Sequence, residues 1–408
     1  MGRFPSPKNF LKTYTKNLTN PLDHSTDLQK LVEDGYELEI RGAFALVHHI
    51  PYVNQQAEVL YGTLVSPLSL SNNATIKPET HVIYFIGEHP CDKNGDKLSC
   101  ITHQDLTQDL GSGIIINHSF SNKPIEGYKD YYEKFVQYIK IISAPALSID
   151  RNATAQTYCT ASEDSNTVFQ YHDTNSSRAS ITAISEKLAS QNIGIIGLGG
   201  SGSYVLDLVS KCPVQNIHLY DADHFYQHNA FRAPGAADMS DLNACGTKAE
   251  YFHEKYSHIH KNIHAHNIYI DEDNVSSLNG LNFVFICIDK GDSKKIITQY
   301  LIDNSIPFID TGIGVTSVEN FLLGQVRSTL VTPDSQTGLS SIDMNIDDDI
   351  DNAYKTNIQI AELNCLSACL AIIQWKKYCG FYQDVRKYTT DVYSINDGVL
   401  AHENTSAL

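Results

Sequence analysis

Short runs with alternating apolar and polar residues, broken by Pro, Asn and Gly, dominate the first 155 residues. Tyr36-Glu37-Leu38-Glu39-Ile40, Val59 to Val65 and His81 to Phe85 are examples. Period-two patterning predicts half-buried strands, and apolar and aromatic residues three and four apart predict a helix over Lys129 to Ile142. Residues 1–155 therefore read as an α+β domain. Residues 156–178, rich in Thr, Ser, Asn and Asp, read as a linker. A helix over about Ser180 to Ala189 then leads into a second domain, 179–408.

From Ile193 the pattern changes to apolar strand, turn, helix, strand. Ile193 to Ile196, Ile217 to Tyr220, Phe283 to Ile288 and Pro307 to Ile309 are continuous apolar runs, as buried parallel strands are. Helical faces lie between them, including Tyr204 to Ser210. The alternation predicts an α/β fold with a doubly wound sheet.

Composition narrows the classes. No run approaches the ~18 apolar residues of a membrane span, and the amino terminus has no secretory apolar core, so a cytosolic protein is expected. Gly2 and Ser6 fit the loose myristoylation pattern, which is short enough for chance to explain. Nine cysteines without a CxxC pair argue against a disulfide framework and a structural zinc. A net charge of −17 disfavours a nucleic-acid partner. Part of that charge is the aspartate run Asp343 to Asp351, expected to be a solvated loop.

The chemistry begins at Gly197-Leu198-Gly199-Gly200-Ser201-Gly202, a GxGxxG turn between a predicted strand and a predicted helix. In that context Gly197 permits a tight turn, Gly199 lets backbone approach phosphates, and Gly202 lets helix pack on strand. The amides at the helix start favour an anion. Asp221, ending the next strand, can bind ribose hydroxyls. A dehydrogenase would need nothing more, but here follow Asp223, Asn229-Ala230-Phe231-Arg232, Lys248 and the strand-ending Asp289.

This ordered set resembles the ThiF, MoeB and E1 adenylating superfamily, over roughly Ala179 to Gly398. The resemblance implies a Rossmann-like adenylation fold, in which a carboxylate attacks the α-phosphate of ATP and expels pyrophosphate. It implies that Arg232 and Lys248 hold phosphates, Asn229 orders the phosphate loop and Asp289 binds Mg²⁺. Catalysis of this kind is positioning plus charge neutralisation. A homodimer is implied, with an arginine crossing from the partner subunit; Arg178 is the candidate, or else an ordinary linker residue. The predicted helix Glu362 to Lys377 resembles the one at the E1 dimer contact. Cys365 and Cys369 on it read as core cysteines rather than metal ligands.

Many members of the superfamily transfer the activated carboxyl to a cysteine in a crossover segment. Here that segment, Thr332 to Asn357, has none. The adenylate could pass directly to another protein. Alternatively Thr332, Ser335, Thr337, Ser340 or Ser341 could form an oxyester, which requires a base. Cys91 of the first domain is a third, chiefly structural, candidate. The first domain resembles one preceding bacterial E1-like proteins encoded beside ubiquitin-like and E2-like proteins and deconjugating peptidases. The stretches carrying this are His48 to Asn54, Ser119 to Pro124 and Gly127 to Tyr132. They read equally as partner-binding loops with exposed aromatics or as packed turns. The resemblance implies a ubiquitin-like protein C-terminus as substrate, an E2-like protein as acceptor, and antiphage defence as a setting. Sulfur-carrier activation is the nearest alternative. A NAD-dependent oxidoreductase leaves Asn229, Arg232, Lys248 and Asp289 without a role, and a non-catalytic scaffold would not need them.

Overall fold

The computed structural model describes residues 21–159, 167–171, 173–179, 181–289, 291–342 and 358–403. Gly2, Ser6 and the aspartate run lie outside these residues. The chain divides into two units, one of Met1–Thr167 with Tyr171–Ile184, the other of Val168–Gln170 with Ser185–Leu408.

The first unit opens with α1 (Pro21–His24) and α2 (Thr26–Glu33), followed by eight strands. These are β1 (Leu38–Arg41), β2 (Phe44–Val53), β3 (Val59–Pro67), β4 (Leu70–Ser71), β5 (Ala74–Thr75), β6 (Val82–Ile86), β7 (Thr102–Asp109) and β8 (Ile115–Ser121). Helix α3 (Tyr131–Ile149) comes next, then α4 (Thr174–Arg178) and the short α5 (Thr182–Ser185). Six strands form one antiparallel sheet in the order β1-β2-β3-β6-β8-β7. Leu28 and Leu31 of α2 and Phe135 and Tyr138 of α3 share a core with Val47, Leu64 and Phe85 of the sheet. Asp130 caps α3 by accepting from the Glu133 amide. The helix continues seven residues past the predicted end at Ile142, carrying Pro145 within it.

The three stretches with aromatic residues lie largely in β2, β8 and the start of α3. Tyr52, Tyr128 and Tyr131 are buried, and their hydroxyls tie down backbone, as buried tyrosines require. Tyr131 accepts from the Ser69 amide (2.7 Å) and donates to the Pro67 carbonyl (3.0 Å). Tyr128 donates to the Asn122 carbonyl, and Tyr52 accepts from the Glu88 amide. Cys91 is fully buried, donates to the His89 carbonyl, and has its thiol pushed up by burial. These features make it structural.

In the second unit, Val168–Gln170, inside the predicted linker, pair with Ile259 to Lys261, and Phe169 is buried. Its strands are β9 (Asn192–Ile196), β10 (Asn216–Tyr220), β11 (Ile263–His266), β12 (Phe283–Ile286), β13 (Phe308–Val318), β14 (Phe321–Val331), β15 (Thr390–Ser394) and β16 (Val399–Glu403). The helices between them are α6 (Gly200–Val209), α7 (Gln227–Ala230), α8 (Met239–Ala244), α9 (Lys248–Tyr256), α10 (Gly291–Asp303) and α11 (Ala361–Tyr378). The sheet order is β11-β10-β9-β12-β13-β14-β15-β16. The first five strands are parallel, four of them at the predicted runs and β11 in addition; β13 to β16 add an antiparallel half that the apolar pattern did not reveal.

Strand β12 shows why its run is unbroken. Phe283 and Phe285 pack on one face with Val205, Leu206 and Trp375, while Val284 and Ile286 pack on the other with Ile297 and Leu301. A strand covered on both faces has no polar side. From β9 the chain winds outward to β10 and β11, then returns to β12 on the opposite side. The carboxyl ends of β9 and β12 therefore meet at the switch point where open α/β sheets bind ligands.

Candidate functional site

At that switch point lies a cleft of about 370 Å³. Gly197, Gly199, Asp221, Asp223, Arg232, Lys248 and Asp289 line it, with Tyr220, Tyr269, Cys287, Ser293 and Gln359 among the others. Seven regions far apart in sequence thus supply one surface.

The glycine turn is built by steric necessity. Gly197 has φ +87°, and a Cβ there would stand 2.6 Å from the Cys287 carbonyl oxygen. On Gly202 a Cβ would stand 1.8 Å from the Gly197 carbonyl oxygen. Gly199 is open, with nothing within 4 Å of a would-be Cβ, and it caps α6 without a side chain over the first-turn amides. Gly200, Ser201 and Gly202 form the first turn of α6 but do not line the cleft.

Asp221 is buried and braces the turn. One oxygen accepts from the Leu198 amide (2.7 Å), the other from the Asp223 amide (2.8 Å). Lys248, almost fully buried at the start of α9, stands 3.6 Å from Asp221 and 2.6 Å from Asp223. Asp223 also accepts from the Tyr269 hydroxyl, and that bond pushes the phenol up to about 12. The ammonium is thus held between two carboxylates, one of them half-exposed.

Asn229 is buried and outside the cleft lining. Its Oδ1 accepts from the Tyr226 amide (2.8 Å), closing α7, and the Arg232 amide donates to its carbonyl (3.1 Å). It shapes the turn that delivers Arg232. Arg232 reaches the cleft with its Nε buried and unpartnered. Asp289 is exposed just before α10. Among the described residues no group of three or more His, Cys, Asp or Glu could hold a metal.

The other candidates lie elsewhere. Arg178 ends α4 in the first unit, and its side chain is outside the described residues. Thr332 and Ser335 close a turn, and Ser335 shares a 2.9 Å bond with Thr337. Ser340 donates to the Thr337 carbonyl, and Ser341 donates to a Glu403 carboxylate oxygen at 3.2 Å. None of the five lines the cleft. Of the five, Ser341 has a carboxylate as the partner of its hydroxyl. Cys365 and Cys369 sit on α11 with burial and the neighbouring thiol pushing Cys369 up.

Sequence reasoning missed Tyr269, Cys287, Ser293 and Gln359. Cys287 had a signal, being two residues before Asp289 at a strand end. Burial pushes its thiol up to about 12, so it offers no thiolate at neutral pH.

Residues 174–338 match the ThiF family model, and residues 26–174 match a domain of unknown function, DUF6791. Over residues 174–338 the chain is thus similar to the ThiF family. Ubiquitin-like modifier-activating enzyme 5 of Drosophila virilis and of Drosophila mojavensis are each 20% identical over 159 residues, 36% of this chain and 39% of theirs. The matched part is thus about two fifths of these relatives' length. Among solved structures, E. coli MccB with ATP is 16% identical, covering 56% of this chain and 67% of that one, with TM-score 0.47. PaaA is 16% identical, covering 55% and 76%, with TM-score 0.43. No described helix is long and apolar enough to cross a membrane.

Proposed function

We propose that this protein adenylates the C-terminal carboxylate of a ubiquitin-like protein with ATP. The observation that carries the reading is the gathering of two cations, Arg232 and Lys248, with Asp289 and an uncapped helix start in one cleft. Bringing a carboxylate to a triphosphate sets anion against anion, and fixed positive charge around both is what lowers that barrier. Arg232, which lines the cleft, receives phosphate oxygens. Lys248 exchanges the half-exposed Asp223 for phosphate, while Asp221 continues to brace the turn. The substrate carboxylate oxygen bonds to the α-phosphorus, the bond to the bridging oxygen breaks, and pyrophosphate leaves. One carboxylate plus phosphate oxygens suits Mg²⁺, which needs no all-protein cage. Asp289 would hold that ion, whose charge would offset that of the leaving pyrophosphate.

Hydride transfer with NAD fits less well. It gives no role to Arg232, Lys248 and Asp289, which the cleft brings together. Activation of a sulfur-carrier protein uses the same chemistry and differs only in the partner. In this reading the protein is a homodimer and passes the acyl group to an E2-like protein or through an oxyester. Ser341 is the favoured hydroxyl because Glu403 stands beside it. The first unit docks the partner, with Tyr61, Leu106, Ile115 and Ile125 among its exposed apolar residues.

ATP–pyrophosphate exchange stimulated by a ubiquitin-like protein tests the proposal. Exchange is expected with wild type and lost in Asp289→Ala, with Trp375 fluorescence checking that the variant is folded. Absence of exchange with every ubiquitin-like and sulfur-carrier partner, alongside measurable NAD binding, would overturn it.

A further inference from the structure

One side chain that no motif predicted ties two phosphate-facing segments together. Asn364 stands in the first turn of α11, 1% exposed. Its Nδ2 donates to the Arg232 carbonyl at 3.2 Å, holding the end of the turn that Asn229 shapes. The same amide lies flat against Gly200, where a Cβ would come within 2.0 Å of Nδ2 and 2.4 Å of Oδ1. Asn364 Oδ1 is itself buried without a partner. Turning the amide over would set this oxygen against the Arg232 carbonyl, so the bond to Arg232 fixes its orientation at the expense of a buried acceptor. A buried polar atom left unpaired calls for a reason beyond packing. An apolar residue would fill the space without that penalty.

From this we infer that Asn364 is a positioning residue for nucleotide, acting through Arg232. It sets the Arg232 backbone relative to the glycine turn, so that the guanidinium and the α6 amides face the same phosphates. It also explains Gly200, which neither has positive φ nor lines the cleft. Only glycine leaves room for the Asn364 amide. The inference rests on the adenylation reading, because it assumes that Arg232 meets phosphate.

The test measures ATP affinity by calorimetry and KM for ATP in pyrophosphate exchange. Trp375 fluorescence reports folding, since the sole tryptophan is buried on the same helix. Asn364→Ala should weaken ATP binding about ten-fold, the scale of one hydrogen bond to a charged group, with kcat changed much less. In an Arg232→Ala background the same substitution should add under about two-fold, because residues acting through one another are not additive. Gly200→Ala should reproduce the loss alone, and combining it with Asn364→Ala should add little further, because both break the same link. Unchanged ATP affinity in a folded Asn364→Ala protein, or a full further loss on top of Arg232→Ala, would overturn the inference. If wild type binds ATP but supports no exchange, the adenylation reading falls while the affinity measurements still decide the role of Asn364.

Discussion

Lys134 gives the sharpest test of the first unit's physics. It sits on α3, fully buried, with its Nζ donating to Ser66 Oγ at 2.9 Å. No carboxylate pairs with it among the described residues. Burial therefore pulls its ammonium down from 10.5 to about 7. In the unfolded chain the amine keeps its ordinary affinity, so between those values unfolding takes up a proton and raising the pH favours the fold. Each pH unit is worth about 1.4 kcal/mol, and the whole window about 5 kcal/mol. Buried Tyr131 and Tyr138 hold their protons in the fold and would act oppositely above pH 10, so the useful range is pH 7 to 9.5. The first unit should gain about 2 to 3 kcal/mol across it, and Lys134→Met should remove most of the slope. Trp375 lies in the second unit and is blind to this change. Hydrogen exchange of α3 and β3 amides, corrected for intrinsic rates, is the appropriate assay. A wild-type opening free energy that is flat over this range, or an equal slope in Lys134→Met, would refute the argument.

Other expectations concern the second unit. Gly202→Ala should destabilise it by roughly 3 kcal/mol or more, read by Trp375 fluorescence in urea, because the new methyl meets the Gly197 carbonyl within the turn. Lys294→Met should cost about 3 to 5 kcal/mol in the same assay. Lys294 stands 2.8 Å from the fully buried Asp310, which would keep only Arg327 at 3.1 Å. His218, stacked between His264 and His266, is held by burial and by those neighbours down to about 4. Its NMR titration should show a neutral ring at pH 5.5. The stability it contributes is present above its unfolded value of 6.5 and fades as pH falls toward 4, and His218→Phe should lessen that acid loss.

How much was legible in advance depended on whether a signal was local. The GxGxxG turn was, because strand, turn and helix are contiguous and steric limits at Gly197 and Gly202 act within one loop. Asp221, Arg232, Lys248 and Asp289 could be listed because their order along the chain resembles a family, and the structure brings them to one cleft. The oxyester candidates were equally easy to list, yet none faces that cleft. The antiparallel half of the second sheet was hidden. In β13 and β14 only the inner ends are buried, so most of each strand is mixed in polarity and its glycines resemble loop punctuation.

The sequence by itself determined an anion-binding turn and an acid at the end of the next strand, which follow from residue type and short-range sterics; the two cations and Asp289 were named through a family resemblance. Only the tertiary structure decided what each group meets. Lys248 rests between Asp221 and Asp223 because α9 starts beside the end of β10. Cys287 is kept as a thiol by burial, and Asn364 reaches Arg232 across 132 positions because α11 packs on α6. Such pairings depend on sheet order and helix packing, long-range choices that no local pattern encodes.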